Sequence, residues 1–156
     1  MSEDAIWWED VAIGARRELG HYVFSEDEII AFARKYDPQP FHVDPEAAKR
    51  SIFGGIIASG WHTAAIWMKL SIANRVNEPT RLMRAGVSPG YEDMRWLKPV
   101  RPGMRLAFGA EIVGKIELKS RPGLGIVLTR NEARDDDGAL VFEFTGKSFV
   151  QRRPSP

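Results

Sequence analysis

The chain has 156 residues, about the length of one ordinary domain. Hydrophobic residues make up 44% of it and charged residues 28%, a composition that excludes a disordered or fibrous protein. The net charge of +1 gives no electrostatic case for binding nucleic acid or an anionic membrane, and the absence of cysteine excludes a disulfide framework, a thiolate metal site and a cysteine nucleophile.

Two features of the sequence bear on location. Glu3 and Asp4 are acidic where a secretory signal would be basic. Residues 51–68 carry no charge, but glycines and polar residues interrupt them, so the part that can be helical is too short to cross a bilayer. We therefore expect a soluble, cytoplasmic protein, which the lack of cysteine fits.

The first predicted elements are a strand and a helix. The strand covers residues 17–24. Ser25 and Glu28 then form a capping box, in which the serine accepts a hydrogen bond from the first turn and the glutamate reaches back. The helix predicted over residues 26–35 ends at Asp37, because a residue before proline is pushed out of the helical region.

A proline-rich loop follows, with one helical turn predicted at residues 45–50, and then a long helix that starts near Gly60. This helix is apolar on most sides over its first two turns, and its charged residues come late. We expect other parts of the protein to cover it on nearly every side. His62, in its first turn, is predicted to satisfy a hydrogen bond in the core.

The second half of the chain predicts four strands, each marked by alternation or by β-branched and aromatic residues. They are residues 91–96, 106–113, 125–134 and 140–150. The pair Asp137-Gly138 before the last strand is a strong hairpin signal. A short helix, a long buried helix and an antiparallel meander form an α+β pattern. We predict a hot-dog fold, in which an antiparallel sheet wraps around a long central helix, as a single domain over residues 1–156 with a loose tail at residues 151–156.

The residues with the clearest chemical potential lie before and at the start of the long helix. Asp37 and His42 place a carboxylate and an imidazole five residues apart, on a backbone stiffened by two intervening prolines, as a general acid and base require. Ser59 and Gly60 begin the helix, where free N–H groups can receive a carbonyl oxygen that gathers negative charge. Taken singly, each also has an ordinary structural explanation: a helix end, a loop histidine and a tight turn.

Together these residues resemble the hydratase signature of the MaoC-like, R-specific enoyl-CoA hydratases. That signature has an aspartate, one residue, Asn-Pro, one residue and a histidine, and later a phenylalanine that leads to His-Gly at the buried helix. The matched positions are Asp37, Gln39, His42, Phe53, Ser59 and Gly60. Residues 96–103 are similar to the family's strand and proline-valine turn, so the resemblance covers roughly residues 8–150.

The chain departs from this signature at two positions. Gln39 stands where the family usually has asparagine, so the amide is kept but its reach is longer by one methylene. Ser59 stands where the family usually has histidine, and it keeps a hydrogen-bonding group that can cap the helix. Both departures bear on the range of substrates.

The resemblance implies reversible addition of water to a trans-2-enoyl thioester, which gives a 3-hydroxyacyl thioester. Asp37 and His42 would both hold the water, Asp37 as base and His42 as the acid that orients it, although the division of these roles stays open. The N–H of Gly60 would stabilise the enolate-like oxygen of the thioester. The other residues expected to contact substrate are Ser59, Gln39 and Phe53. No metal or redox cofactor is required, and coenzyme A enters only as part of the substrate, with acyl carrier protein as the alternative carrier.

Two other functions compete with this one. A non-catalytic module that binds acyl thioesters would keep the fold without turnover. A hot-dog acyl-CoA thioesterase typically needs a carboxylate near the buried helix, and residues 60–77 contain none, so this function is the weaker alternative.

We also expect a homodimer or a higher homo-oligomer, because pairing of two sheets covers an exposed edge strand. A metal site is not expected, because Pro45 interrupts the group formed by His42, Asp44 and Glu46. The basic residues that could meet the phosphates of coenzyme A are Lys49, Arg50, Arg81, Arg84 and Arg101.

Overall fold

One antiparallel sheet and one long helix dominate the computed structural model, which describes residues 6–77 and 87–154. The helices are a 3-10 turn (Trp8–Asp10), α1 (Glu26–Tyr36), α2 (Pro40–Val43), α3 (Pro45–Lys49) and α4 (Gly60–Asn77). The strands are β1 (Arg16–Val23), β2 (Gly90–Trp96), β3 (Arg105–Glu117), β4 (Leu124–Arg134) and β5 (Leu140–Gln151). Within the described residues the strand order is β1-β3-β4-β5-β2, with all pairs antiparallel. The α+β class is therefore confirmed.

The core lies between the sheet and the helices α1 and α4. Its largest buried side chains include Phe24, Ile29, Leu106, Phe142 and Phe144. They come from the end of β1, from α1, from β3 and from β5. Burying such aromatic and aliphatic side chains supplies most of the stabilisation of a fold of this size. The alternation predicted in the last strand holds from Phe142 to Phe144, which are both buried in this core, but not at Val141, which is buried as well.

The proline-rich segment before α4 is more helical than its sequence predicts. Pro40 takes the first turn of α2, where the missing N–H of proline costs no hydrogen bond. Asp44 then caps α3, because its side chain accepts the N–H groups of Glu46 and Ala47. The two short helices fold this segment back toward α4.

Helix α4 is less covered than its apolar sequence predicts. Its buried side meets the sheet through Ile66 and through Trp67, whose Nε1 donates to Asn131 Oδ1 on β4 at 3.0 Å. Trp61, Met68 and Ile72 are 59%, 41% and 46% exposed, at spacings that place them on one face of the helix. The expectation of cover on nearly every side is wrong for the single chain, because one sheet packs against only one side of a helix.

The expected loose tail is also wrong at its beginning. Gln151 still belongs to β5, and the guanidinium of Arg152 pairs with Glu9 at 2.9 Å and lies over the ring of Trp8. Arg153 pairs with Asp10 at 2.6 Å. These cations tie the end of the chain to the first turn, which the sequence spacing could not reveal.

No helix in the described part of the chain combines the length and the apolar character that a membrane crossing needs.

Candidate active site

Asp37 stands where α1 gives way to the loop. Its backbone is non-helical (φ −152°, ψ 66°), as expected before Pro38, while its N–H still donates to Ala33 O at 2.8 Å. The carboxylate is thereby turned off the helix end toward α2. Asp37 Oδ2 lies 3.3 Å from His42 Nε2, so the two predicted groups do meet.

His42 is only 5% exposed, and its ring is held from both sides. Nδ1 lies 2.7 Å from the carbonyl oxygen of Ile57, and a carbonyl can only accept, so Nδ1 carries a hydrogen and donates it. In the neutral ring Nε2 then has a free lone pair facing Asp37. A water molecule that sits beside the pair, within hydrogen-bond distance of both Nε2 and Oδ2, could donate one hydrogen to each.

The carboxylate of Asp37 accepts two hydrogen bonds from side chains. The Ser59 hydroxyl donates to Oδ2 at 2.7 Å, and Gln39 Nε2 donates to Oδ1 at 2.8 Å. These donors, Ser59 first, together with the nearby His42, lower the pKa of Asp37 below its ordinary 3.8 against the opposing effect of burial. Asp37 is therefore ionised at neutral pH and can act as a proton acceptor.

Ser59 and Gln39 thus both lie against Asp37, and their predicted contact with substrate stays a prediction. The longer side chain of Gln39 still reaches the carboxylate, so the first departure from the signature keeps an amide at this position. Ser59 is fully buried, and its Oγ also accepts the N–H of Trp61 at 3.3 Å. The second departure therefore caps α4 and bonds the carboxylate at the same time.

Gly60 is the first residue of α4, next to Ser59. Its N–H meets no acceptor within the described residues, as is usual for the first turn of a helix. This N–H adds a hydrogen-bond donor, at the positive end of the helix dipole, to the neighbourhood of the Asp37 carboxylate. A carboxylate, an imidazole and a backbone N–H without an acceptor consequently share one region.

Phe53 lies further from the acid–base pair than the other predicted positions. Its ring packs on Phe41 with the centroids 5.2 Å apart, and Phe41 in turn meets the His42 ring edge-on. Phe53 therefore supports the pair through one intervening ring, and its predicted contact with substrate stays a prediction.

His62 does not form the core hydrogen bond that we expected. It is 4% exposed, and its Nδ1 has no hydrogen-bond partner in the described structure. The ring instead stacks on Phe32 at 4.6 Å and meets Phe24 edge-on. Burial lowers the pKa of His62 below its ordinary 6.5, and the more distant Glu28 opposes this only in part.

The described residues hold no cluster of three or more His, Asp or Glu side chains that could bind a metal ion. Near His42, Asp44 is engaged as a helix cap, and Glu46 pairs with Lys49 at 2.9 Å. Of the basic residues considered for phosphate contact, Arg81 and Arg84 lie outside the described residues.

Comparisons with known proteins identify the family to which this chain is similar. A family model described as the MaoC-like domain matches residues 10–132. An uncharacterised protein of Bacillus subtilis, YdeM, is 38% identical over 128 residues, which cover 82% of this chain and 86% of the relative.

Solved structures are similar over nearly the whole chain. The crystal structure of a MaoC-like dehydratase from Rhodospirillum rubrum has a TM-score of 0.80 and 36% identity, and the match covers 97% of this chain and all of that one. A Mycobacterium tuberculosis protein described as a double hotdog fold matches with a TM-score of 0.74 at 15% identity, over 100% of this chain and 47% of its own. The predicted hot-dog fold is confirmed by these likenesses together with the sheet and helix described above.

Proposed function

Because this chain belongs to the MaoC-like domain family, we propose that it is an enoyl-thioester hydratase or dehydratase, which adds water reversibly to a trans-2-enoyl thioester. The observation that carries the proposal is the 3.3 Å approach of Asp37 Oδ2 and His42 Nε2 beside the free N–H of Gly60. Support also comes from the dehydratase name of the Rhodospirillum rubrum relative at 36% identity.

In the hydration direction, a water held by Asp37 and His42 attacks Cβ of the substrate. One hydrogen of the water passes to the Asp37 carboxylate as the new C–O bond forms, and the electrons of the double bond move toward the thioester oxygen. The N–H of Gly60 donates to that oxygen while it is negative. The enolate then takes a proton at Cα from the Asp37–His42 pair, which restores the starting state. Dehydration runs through the same steps in reverse.

The residues around Asp37 and His42 hold these two side chains in the orientation and protonation state that the reaction needs. Ser59 and Gln39 hold the carboxylate of Asp37 ionised and fix its orientation. The Ile57 carbonyl fixes the ring of His42 so that Nε2 faces the water. Proton transfer and oxyanion stabilisation suffice for this reaction, so we propose that no metal or redox cofactor takes part. Coenzyme A or acyl carrier protein would enter as the carrier of the acyl group.

The test is hydration of crotonyl-CoA, followed as loss of the ultraviolet absorbance of the conjugated enoyl thioester. Asp37→Asn keeps the shape of the side chain and its bond from Ser59 but removes the base, so we expect kcat/KM to fall about 1000-fold. Glu46→Gln is the matched control, because Glu46 is an exposed carboxylate that pairs with Lys49 away from the site. Equal activity of Asp37→Asn and wild type would contradict the proposal.

A wild-type protein that binds acyl-CoA but forms no product by mass spectrometry, with crotonyl, branched and carboxylated enoyl thioesters alike, would instead support a binding module.

We further propose that two copies pair into a homodimer. β2 is an edge strand among the described residues, and α4 exposes Trp61, Met68 and Ile72 on one face, of which Trp61 lies against Trp96 of β2. Pairing would cover both the open edge and this apolar face. Light scattering measures the assembly directly, and a monomer at micromolar concentration would contradict this part of the proposal.

A further inference from the structure

Trp96, at the end of β2, lies directly on the first residue of α4. Its Nε1 donates to the carbonyl oxygen of Gly60 at 2.8 Å. A Cβ added at residue 60 would come within 2.6 Å of the indole ring, closer than real Cβ contacts allow. A glycine is therefore needed at this position for the close approach of Trp96, independently of any role of the Gly60 N–H.

The indole ring is itself fixed by two neighbouring rings. It stacks on Phe142 of β5 with the centroids 5.7 Å apart, and Trp61 meets it edge-on at 5.3 Å. Phe142 is completely buried in the core. The side chain that holds Gly60 is thus anchored to the sheet and not only to the surface of the helix.

A β-bulge brings Trp96 to this side of the sheet. Tyr91 and Trp96 are five residues apart, so in a regular strand they would point to opposite faces. Glu92 pairs with Thr145 and Arg95 with Glu143, so three steps along β2 match two steps along β5. The extra residue on β2 is accommodated at the bulge, where Asp93 has a φ of +53°.

As a result both rings face α4. Tyr91 contacts Trp67 of that helix, and Trp96 contacts Gly60. Asp93 is also the one described residue other than glycine with a positive φ. Bulges next to active sites commonly redirect a side chain in this way.

We propose that Trp96 is a positioning residue for catalysis, which fixes the first turn of α4 so that the N–H of Gly60 points to the thioester oxygen. This inference rests on the proposed function, because it assigns a supporting residue to the oxyanion donor of that reaction. Trp96 acts through Gly60 and takes no part in proton transfer.

The experiment compares Trp96→Phe with Trp61→Phe in the full chain. Trp96→Phe keeps an aromatic ring on Phe142 but removes the donor to Gly60, so we expect kcat for crotonyl-CoA to fall about tenfold, the usual size for the loss of one hydrogen bond in a site. KM should stay within about twofold, and the pH profile should keep its shape, since Asp37 and His42 are unchanged. Trp61→Phe makes the same exchange of indole for phenyl, keeps an aromatic ring against Trp96 and leaves the bond to Gly60 intact, so it should match wild type.

A second measurement uses acetoacetyl-CoA, a thioester that can carry enolate charge on its oxygens. Its Kd should rise about tenfold in Trp96→Phe and stay unchanged in Trp61→Phe. This binding assay tests whether Trp96 positions the N–H of Gly60 even if the wild-type protein binds thioesters without turning them over.

The possible results separate the two proposals. Suppose that the wild type is active. If Trp96→Phe then keeps the wild-type kcat and Kd, or if both tryptophan variants lose activity equally, the role of Trp96 is overturned and the hydratase function stands. A loss of kcat in Trp96→Phe that is matched by a lower unfolding temperature also overturns the role of Trp96, because that pattern indicates that the ring only stabilises the fold. Wild type that neither hydrates nor binds any thioester overturns both proposals.

Discussion

His42 and His62 are buried to the same degree, but the surroundings of their ring nitrogens differ. His42 donates from Nδ1 to the Ile57 carbonyl and turns Nε2 toward the Asp37 carboxylate. His62, twenty residues later in the chain, has an unpartnered Nδ1 and lies between the rings of Phe24 and Phe32. Burial alone therefore does not distinguish a histidine that faces a carboxylate from one that is only packed among rings.

The difference follows from the backbone that each histidine can reach. A buried ring that faces a free carbonyl and a carboxylate keeps a fixed tautomer and a nitrogen ready for proton exchange. The ring of His62, packed among aromatic side chains, has no hydrogen-bond partner for Nδ1, and burial penalises its charged form. Four substitutions or titrations test this contrast.

The largest expected effect comes from His42→Ala compared with His62→Phe. Loss of the His42 ring should lower kcat/KM for enoyl-thioester hydration about 1000-fold, in the range of one general acid–base group. His62→Phe keeps an aromatic ring in the stack and should stay near wild type. Steady-state kinetics measure both, and a large loss of activity in His62→Phe alone would reverse the assignment of the two histidines.

Ser59→Ala, a change beside the Asp37–His42 pair, should lower activity less than His42→Ala does. The Ser59 hydroxyl is the main cause of the lowered pKa of Asp37, so its removal raises that pKa. Since the base must be ionised, the acidic limb of the pH profile of kcat/KM should move to higher pH. At neutral pH Asp37 stays ionised, but loss of the hydrogen bond that orients its carboxylate should lower the rate about tenfold. Ser88→Ala, which removes an exposed hydroxyl near β2, is the control; an unmoved acidic limb in Ser59→Ala would argue against Asp37 as base.

The pH dependence of the free energy of unfolding tests the surroundings of His62. Burial holds the pKa of His62 below 6.5 in the folded state, so below that pH the unfolded chain binds the proton more readily. Stability is then full above about pH 6.5 and declines as the pH falls toward the folded-state pKa, with a slope of at most about 1.4 kcal/mol per pH unit for one proton. Urea unfolding at about pH 7.5 and pH 5.5 should show this decline in wild type and a shallower one in His62→Phe. Equal slopes in the two proteins would remove His62 as the cause.

Gln39→Ala should give the smallest effect. Gln39 is an exposed residue and a lesser cause of the lowered pKa of Asp37 than Ser59, and water can replace its amide. We expect about a threefold fall in kcat/KM and a shift of the acidic limb in the same direction as in Ser59→Ala, but smaller. A shift larger than that of Ser59→Ala would invert the order of the two donors.

The sequence predicted the parts of the site that are local in the chain. Asp37 and His42 are five residues apart with prolines between them, and Gly60 opens a helix with evident apolar character. Motif and spacing were therefore sufficient to place these groups, while their roles stay predictions. The hot-dog fold was predicted for a similar reason, because its strands carry clear alternation and turn signals.

The parts that were missed depend on contacts between distant segments. The bulge at Asp93 exists only in the pairing of β2 with β5, and without it alternation places Trp96 on the wrong face. The unpartnered Nδ1 of His62 depends on which rings reach it from β1's end and α1. No residue pattern along one segment of chain could have indicated either feature.

The strand order has a consequence for the order of folding. β3, β4 and β5 follow one another through short turns, whereas Val23 of β1 pairs with Arg105 across the whole intervening chain, residues 24–104. Closing that long loop costs more entropy than forming the neighbouring hairpins, so the meander should assemble first. Asp37, His42 and Gly60 all lie inside the loop. In mild urea we therefore expect catalytic activity and the amide protection of α2 to disappear before the protection of β4, so that the chemistry is the last property the chain gains and the first it loses.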